Sequence, residues 1–311
     1  TPRSIPTIAG YEIAPLGISI VAYLILIGAA LLYVFYNRQK KLEAAKKNPL
    51  LKVSMLSIPQ LRSGLSVLLA QYLVIGAVFF IMPVYLQMTL GLDALETGLR
   101  ILPLSIALVL GSIYGAGASS RKTPKRIVRS GQYLLVVGVL ILLGSIDIEL
   151  RNILFALGMF VIGLGLGLLA SQLGNINMSA VSERDGSEVG GMQGVFQNLG
   201  SSMGTAIIGS ILVGALTTSF VSNVQSTNLP SNIKQYVQEN STAGVAIVSV
   251  TQVEDYAVSQ GVSQSDADEL GSTYAQSQIE ALRTSLFVLF AVALLMVTLS
   301  RNIPNTLPKR S

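Results

Sequence analysis

Two residue types that supply much of enzyme chemistry are missing, since the 311 residues include no cysteine and no histidine. The missing cysteine excludes a disulfide framework. The missing histidine excludes Ser-His-Asp and Cys-His catalysis, histidine zinc sites and histidine proton relays. We therefore expect no metal ion, no cofactor and no enzymatic activity.

Charged residues are scarce as well. They make up 12% of the chain, about half the share found in soluble domains, whereas 51% of the chain is hydrophobic. A mean hydropathy of +0.61 over this length predicts several membrane-spanning segments rather than one anchor. The net charge of +5 does not indicate nucleic acid, because the basic residues lie between apolar runs, where membrane topology explains them better. We expect the lipid bilayer as a partner and no nucleic acid.

Residues 82–129 show the pattern on which the rest of the chain is built. Residues 63–92 and 101–120 carry no charge, and each run is long enough for a helix to cross a bilayer core of about 30 Å, which takes about 20 residues. The turn between the runs is acidic, with Asp93 and Glu96. The second run ends at a basic cluster formed by Arg121, Lys122, Lys125, Arg126 and Arg129. The pattern predicts a membrane hairpin whose basic end is cytoplasmic.

The same reasoning applied to the whole chain predicts an all-α membrane protein with seven transmembrane helices. The spans cover residues 13–36, 63–89, 101–118, 130–146, 152–173, 190–221 and 284–300. With the first connector in the cytoplasm, sixteen of the Lys and Arg residues lie inside and five outside, as the positive-inside rule requires. Residues 222–280 hold one Lys against seven acids, which predicts an external loop. Ser263 and Asp266 have the spacing of a helix cap, so the last helix should project beyond the membrane.

Three segments resemble the drug:proton antiporter family 2, the fourteen-helix multidrug exporters of the major facilitator superfamily. They are NPLLKVSML (48–56), PVYLQMTLGLDALETGLRILP (83–103) and GGMQGVFQNLGSSMGTAIIGSIL (190–212). In the second segment the matching residues are Pro83, Tyr85, Leu86, Gln87, Gly91, Gly98, Leu99 and Pro103. In the third they are Gln197, Leu199, Gly200, Gly204, Ala206 and Gly209. The order and spacing of the three segments agree with the family from about residue 12 to residue 300.

The resemblance implies the C-terminal six-helix half of such a transporter with one preceding helix. Residues 1–61 would be an external lead-in, an accessory span and a basic cytoplasmic connector, and 62–221 the first five helices of the half. Residues 222–280 would be the extracytoplasmic loop, and 281–311 the last helix and a cytoplasmic tail. The chain begins at Thr1 rather than Met, and we expect it to be a piece of a longer protein. Its expected partners are the missing N-terminal half of the same transporter and a small-molecule substrate.

The implied function is proton-driven export of drugs or other amphipathic small molecules across the plasma membrane by alternating access. No Asp or Glu lies in the middle of a span, so a proton-coupling carboxylate would belong to the missing half.

Two charged positions at the ends of spans each allow two interpretations. Arg100 either reaches from the outer end of its span to water or contacts substrate at an external gate, and Asp147 is either an interfacial helix end or a proton site.

Polar, aromatic and methionine side chains inside the spans are the candidates for a substrate cavity. With Arg100 they are Gln71, Tyr72, Phe79, Phe80, Gln87, Met159, Phe160 and Gln172. Residues expected to act in gating or close helix packing are Pro83, Gly98, Pro103, Gly163, Gly167, Gly200 and Gly204. Gly163, Gly165 and Gly167 resemble a phosphate-binding run, but no strand precedes them within this apolar span.

Other functions remain as alternatives at this point. The main one is a major facilitator exporter or symporter of one specific metabolite, lipid or siderophore. A seven-helix receptor is a further alternative, but no span contains the Lys that a retinal Schiff base would need. A membrane-embedded enzyme would need clustered acids, histidine or cysteine at membrane depth, and the sequence has none there.

Overall fold

The computed structural model describes residues 7–8, 11–12, 20–47, 49–148, 152–241 and 244–306. Most of the predicted lead-in, the start of the first predicted span, Arg151 and the last five residues of the tail lie outside this described part. The chain divides into two compact units, residues 1–58 and residues 59–311.

The first unit contains a short antiparallel strand pair, β1 (Thr7–Ile8) and β2 (Tyr11–Glu12), and the helix α1 (Ile20–Ala44). The apolar residues of α1 from Leu24 to Tyr36 are exposed on all sides of the helix, as expected for a helix surrounded by lipid. A 3-10 helix (Val53–Ser57) lies in the connector that follows.

Two side chains of α1 hold this connector against the end of the helix. The Oε1 atom of Gln39 accepts a hydrogen bond of 2.9 Å from the backbone N–H of Leu50. The Glu43 carboxylate accepts hydrogen bonds from the hydroxyl of Ser54 and, at 3.2 Å, from its backbone N–H. The side-chain bond from Ser54 is the main cause that lowers the pKa of Glu43. These bonds hold the connector, from Leu50 to Ser54, in a fixed position beside the end of α1. We call this turn, from Gln39 to Ser57, the elbow.

The second unit is a helical bundle. Its helices are α2 (Pro59–Pro83), α3 (Ala94–Ala118), α4 (Pro124–Ser145), α5 (Asn152–Met178), α6 (Gly186–Ser226), α7 (Ser231–Asn240), α8 (Val250–Ser259) and α9 (Gln264–Leu299). Within the described residues, six of these are long and apolar enough to cross a membrane, namely α2 to α6 and α9. They coincide with six of the seven predicted spans, and the described part of the remaining span belongs to α1.

Local sequence signals explain where these helices begin. Asp93 and Glu96 form a reciprocal capping box at the start of α3, with a bond of 2.8 Å from the Glu96 backbone N–H to the Asp93 carboxylate. Gly91, just before it, has a φ of +69°, which favours glycine. Thr123 caps α4, whose first residue is Pro124. Ser263 caps α9 by accepting from the Asp266 backbone N–H, as the sequence predicted.

Helix α5 lies at the centre of one side of the bundle, packed between α3 and α4 and touching α2. On the other side α6 packs between α2 and α9, and α9 also contacts α4. Helix α2 is buried on most of its surface, since it contacts α5, α6 and α9. The described part of this unit therefore has one continuous apolar core.

The region predicted as an external loop is largely helical. Helix α6 continues to Ser226, five residues beyond the predicted end of its span, and pairs there with the first turns of α9. The Phe220 and Tyr274 rings meet edge to face at 5.3 Å, and the Asn223 side chain donates to the Ser277 hydroxyl at 3.0 Å. Helices α7 and α8, which the sequence analysis did not predict, pack on α6 and α9 respectively. Together they form a folded cap on the long helices.

Candidate functional site

The outer end of α2 is shaped by Pro83. Proline cannot donate to the helical ladder, and after Pro83 the backbone continues as π-helical turns (Val84–Thr89). In these turns the Leu90 backbone N–H reaches the Tyr85 carbonyl at 3.1 Å. Pro103 likewise lies inside α3, which runs without interruption from Ala94 to Ala118.

Tyr85 fastens this modified helix end to the rest of the bundle. Its side chain is fully buried, and its hydroxyl donates to the Asp147 carbonyl at 2.8 Å while accepting from the Asp147 backbone N–H at 3.3 Å. Arg283 of α9 donates to the neighbouring Ile146 carbonyl from Nη2 at 2.8 Å and from Nε at 3.2 Å. The end of α4 is thus joined to α2 and α9. Asp147 lies just after α4, at a helix end.

Three of the predicted cavity residues are buried between helices and do not face an open surface. The Gln71 Nε2 atom donates to the Leu166 carbonyl of α5 at 3.3 Å. Gln172 bridges α5 to α3, because its Nε2 atom donates to the Gly115 carbonyl at 3.0 Å and to the Ser119 hydroxyl at 2.8 Å. The Met159 side chain is fully buried. In this structure the Gln71 and Gln172 side chains join neighbouring helices and Met159 lies in the core. Their assignment to a cavity wall stays a prediction.

The other six cavity candidates have partly or largely exposed side chains. They are Tyr72, Phe79, Phe80, Gln87, Arg100 and Phe160. Phe79 is the most accessible aromatic residue of α2, at 49% exposure. Tyr72 and Phe80 lie beside α6, where they face Gly200 and Gly209. Tyr72 and Phe80 therefore border α6, whereas Phe79 is the exposed aromatic residue of α2.

An open apolar row on α6 was not among the sequence candidates. It consists of Leu199, Met203 and Ile207, which are exposed and spaced four residues apart, so they lie on one face of the helix. Leu102, Ile106 and Leu110 form a similar exposed row on α3. The four-residue spacing could have identified both rows, but nothing in the sequence separates them from rows that are buried.

Glycines bring two pairs of helices into backbone contact. A Cβ at Gly163 or Gly167 of α5 would overlap the carbonyl oxygen of Leu104 or Leu108 in α3. A Cβ at Gly200 or Gly204 of α6 would similarly overlap the carbonyl oxygens of Leu69 and Leu73 in α2. Gly98, in contrast, has nothing within 4 Å of the position that its Cβ would take. The structure thus places four of the five predicted glycines at close helix contacts.

The basic loop joins helix ends on the opposite side of the bundle. Lys125 donates to the Arg301 carbonyl at 2.6 Å, just beyond the end of α9. Lys122 lies over the Tyr114 ring at 5.7 Å from its centroid and donates to its hydroxyl at 3.3 Å. The side chains of Arg121 and Arg126 are exposed. Lys125 thus binds the end of α9, and Lys122 packs on Tyr114 of α3. These contacts are additional to the effect of the basic residues on membrane topology.

Comparison with known proteins gives one family match. The model of the Major Facilitator Superfamily matches residues 5–205. The "Probable actinorhodin transporter" of Streptomyces coelicolor is 26% identical over 204 residues, which cover 65% of this chain and 35% of that protein. The "Tetracenomycin C resistance and export protein" of Streptomyces glaucescens is 28% identical over 196 residues, 60% of this chain and 35% of that protein. "Multidrug transporter protein MdtP" of Bacillus subtilis is 26% identical over 137 residues, 44% of this chain and 25% of that protein. The chain thus spans about a third of the length of the two Streptomyces relatives.

Proposed function

Since this chain belongs to the major facilitator superfamily, we propose that it is the C-terminal part of a plasma-membrane transporter that exports drugs or other amphipathic small molecules. The observation that carries the proposal is the similarity to proteins named for antibiotic and multidrug export. The composition of the open side chains agrees with this substrate class. Phe79, Met203 and Leu199 offer adaptable apolar contacts of the kind that accept varied ligands.

The partner that completes the transporter is an N-terminal half that lies outside this chain. The open rows on α3 and α6 support this part of the proposal, because each presents large apolar side chains that stay 38–49% exposed among the described residues. The substrate would bind between the two halves, in contact with Phe79 and its neighbours on α2. The two halves would then rock against each other to open the site to either side.

Proton coupling would depend on a carboxylate in the missing half. In this chain no acid lies in the middle of a predicted span, and the stretch between Glu188 and Lys234 that contains most of α6 has none. An antiport mechanism needs a group that binds the proton or the substrate in turn, and an acid at membrane depth is the usual choice. This half would then supply the substrate contacts and the moving surface.

A transporter of one specific anionic metabolite is the second candidate. The observation in its favour is Arg100, a partly exposed cation in the second turn of α3. A cation at that place could bind an anionic substrate at the outer entrance. Export of varied amphipathic compounds does not require it.

The test uses the full-length parent protein in a drug-sensitive host, with dye efflux measured in the presence and absence of a proton uncoupler. We expect efflux that the uncoupler abolishes, and a several-fold loss of efflux in Phe79→Ala. Phe287→Ala is the matched control, because Phe287 is also an exposed aromatic side chain, at 61%, but lies on α9 rather than α2. Efflux that survives the uncoupler would exclude proton antiport. Loss of an anionic metabolite's transport in Arg100→Ala, without any dye efflux in the parent, would favour the second candidate.

A further inference from the structure

A groove of about 530 Å³ runs along the C-terminal part of α1 and the turn that follows. Three cations line it, Arg38, Lys41 and Lys47, together with the Asn37 amide. Val34 and Leu42 provide apolar walls. No carboxylate lines the groove, and the nearby acid Glu43 bonds to Ser54 in the connector. The groove therefore presents several donors to a negatively charged group and no acceptor of the same charge.

The position of the groove along α1 is informative. Val34 belongs to the apolar segment that is exposed on all sides, whereas Lys41 lies about 10 Å further along the helix, at a rise of about 1.5 Å per residue. With residues 13–36 as the predicted span, one end of the groove falls at lipid depth and the other end at the height of headgroups. This change from apolar to cationic walls matches a phospholipid, which carries its phosphate next to the glycerol and acyl chains.

The turn after α1 fixes the far wall of the groove. The backbone N–H of Lys47 donates to the Leu42 carbonyl at 3.0 Å, and Lys46 adopts a φ of +53° that reverses the chain. The Gln39 and Glu43 bonds to the connector then hold the next residues in place. The backbone of Lys47 is therefore held at this wall of the groove.

We propose that this groove binds the headgroup of an anionic phospholipid, with the phosphate held by Arg38, Lys41 and Lys47. Asn37 adds an amide donor, and the glycerol and upper acyl carbons lie along Val34 and Leu42. This lipid site is separate from substrate transport and does not rest on the proposed export function. It would anchor the elbow at one leaflet, which is where a polybasic segment next to a spanning helix attracts anionic lipid.

The experiment is a lipid titration of the complete chain in a neutral detergent, with bound lipid counted by native mass spectrometry. The probes are phosphatidylglycerol and phosphatidylcholine with the same acyl chains. Two variants each remove two positive charges. Arg38→Gln/Lys41→Gln changes the groove, whereas Lys40→Gln/Lys46→Gln changes neighbouring cations that do not line it. Helix content measured by circular dichroism confirms that each variant is folded, and Arg38→Lys/Lys41→Arg restores the charges.

We expect the chain to prefer phosphatidylglycerol, and the groove variant to bind it about thirtyfold more weakly, at about 1 kcal/mol for each of the two cations removed. The control variant and the charge-restoring variant should stay within about twofold of the original affinity. Equal losses in the groove and control variants would indicate a diffuse basic surface and overturn the proposal. Equal binding of phosphatidylcholine would also overturn it. Displacement of the lipid by millimolar glycerol phosphate would show that the groove takes a soluble phosphate compound instead.

Discussion

Single glycine residues decide how closely the helices of the second unit approach. At Gly163, Gly167, Gly200 and Gly204 the neighbouring helix places a backbone carbonyl where a side chain would begin. A carbonyl belongs to a helical backbone and cannot swing aside as the end of a side chain can. Packing at these positions is therefore sensitive to one methyl group, since helices in lipid associate largely through close van der Waals contact.

Gly204→Ala should destabilise the bundle by about 1–3 kcal/mol, because the new Cβ would overlap the Leu73 carbonyl. Gly214→Ala is the matched control on the same helix, since nothing lies within 4 Å of its Cβ position. The control should be neutral or slightly more stable, because alanine favours the helix. Thermal unfolding of both variants in the same detergent measures the difference. Equal midpoints for the two variants would contradict the assigned contact.

The Glu43 carboxylate should make the elbow sensitive to acid. Its pKa lies below the ordinary 4.5, chiefly because the Ser54 hydroxyl donates to it, so the folded elbow favours the ionised form. This stabilisation is present above the ordinary pKa and is lost as the pH falls through the lowered value. NMR titration of the carboxyl carbon should give a pKa below 4.5, and Ser54→Ala should raise it. Ser57→Ala, in the same 3-10 helix, should leave it unchanged.

Helix α9 is longer than a membrane crossing requires. Its 36 residues correspond to about 54 Å, whereas the bilayer core is about 30 Å thick. The excess lies at its N-terminal end, where Tyr274 donates to the Ala246 carbonyl at 2.8 Å and Gln278 to the Val248 carbonyl at 2.9 Å. These bonds attach the segment before α8 to the helix. The extension is therefore a support for the cap, not a free helix end.

Cysteine labelling should separate the two parts of α9. Ser272→Cys should react with a membrane-impermeant maleimide, because Ser272 is exposed within the extension. Leu295→Cys should not react in a lipid bilayer, although Leu295 is 66% exposed on the protein, because acyl chains cover it. The chain has no native cysteine to interfere. In denaturant both should label, and labelling of Leu295→Cys in intact membranes would place this part of α9 outside the bilayer.

On the scale of the whole chain, three spanning helices, α4, α5 and α6, separate the basic loop from the cap, and three crossings end on the other side of the membrane. The basic loop between α3 and α4 and the cap on α6 and α9 should then lie on opposite sides. Ser120→Cys and Ser226→Cys test this, since both serines are exposed and neither donates to another helix. An impermeant reagent should label Ser226→Cys in intact cells and Ser120→Cys only after the membrane is opened. Labelling of both in intact cells would overturn the predicted topology.

The sequence predicted the spanning helices well because apolar length and charge are properties of a whole segment. It could not predict which face of α2 meets which neighbour, because a helix that is apolar on nearly all sides has little periodicity. Gln71 and Gln172 show the consequence. A glutamine inside a span resembles a substrate contact, but both donate to backbone carbonyls of neighbouring helices. Helices α7 and α8 were missed because they are short and polar, although Ser249 and Gln252 carry a readable capping box.

The spans of the second unit carry almost no charge, and this affects how transport would respond to the membrane potential. Residues 63–92, 101–120, 130–146, 152–182, 189–233 and 284–300 contain no charged side chain, and Arg100 lies in the second turn of α3. A charge that crosses the full membrane potential changes the energy by about 2.3 kcal/mol per 100 mV. Rocking of this unit would carry no such charge through the field. The voltage dependence of a complete transport cycle would therefore come from the other half and from the charge of the substrate and coupling ion.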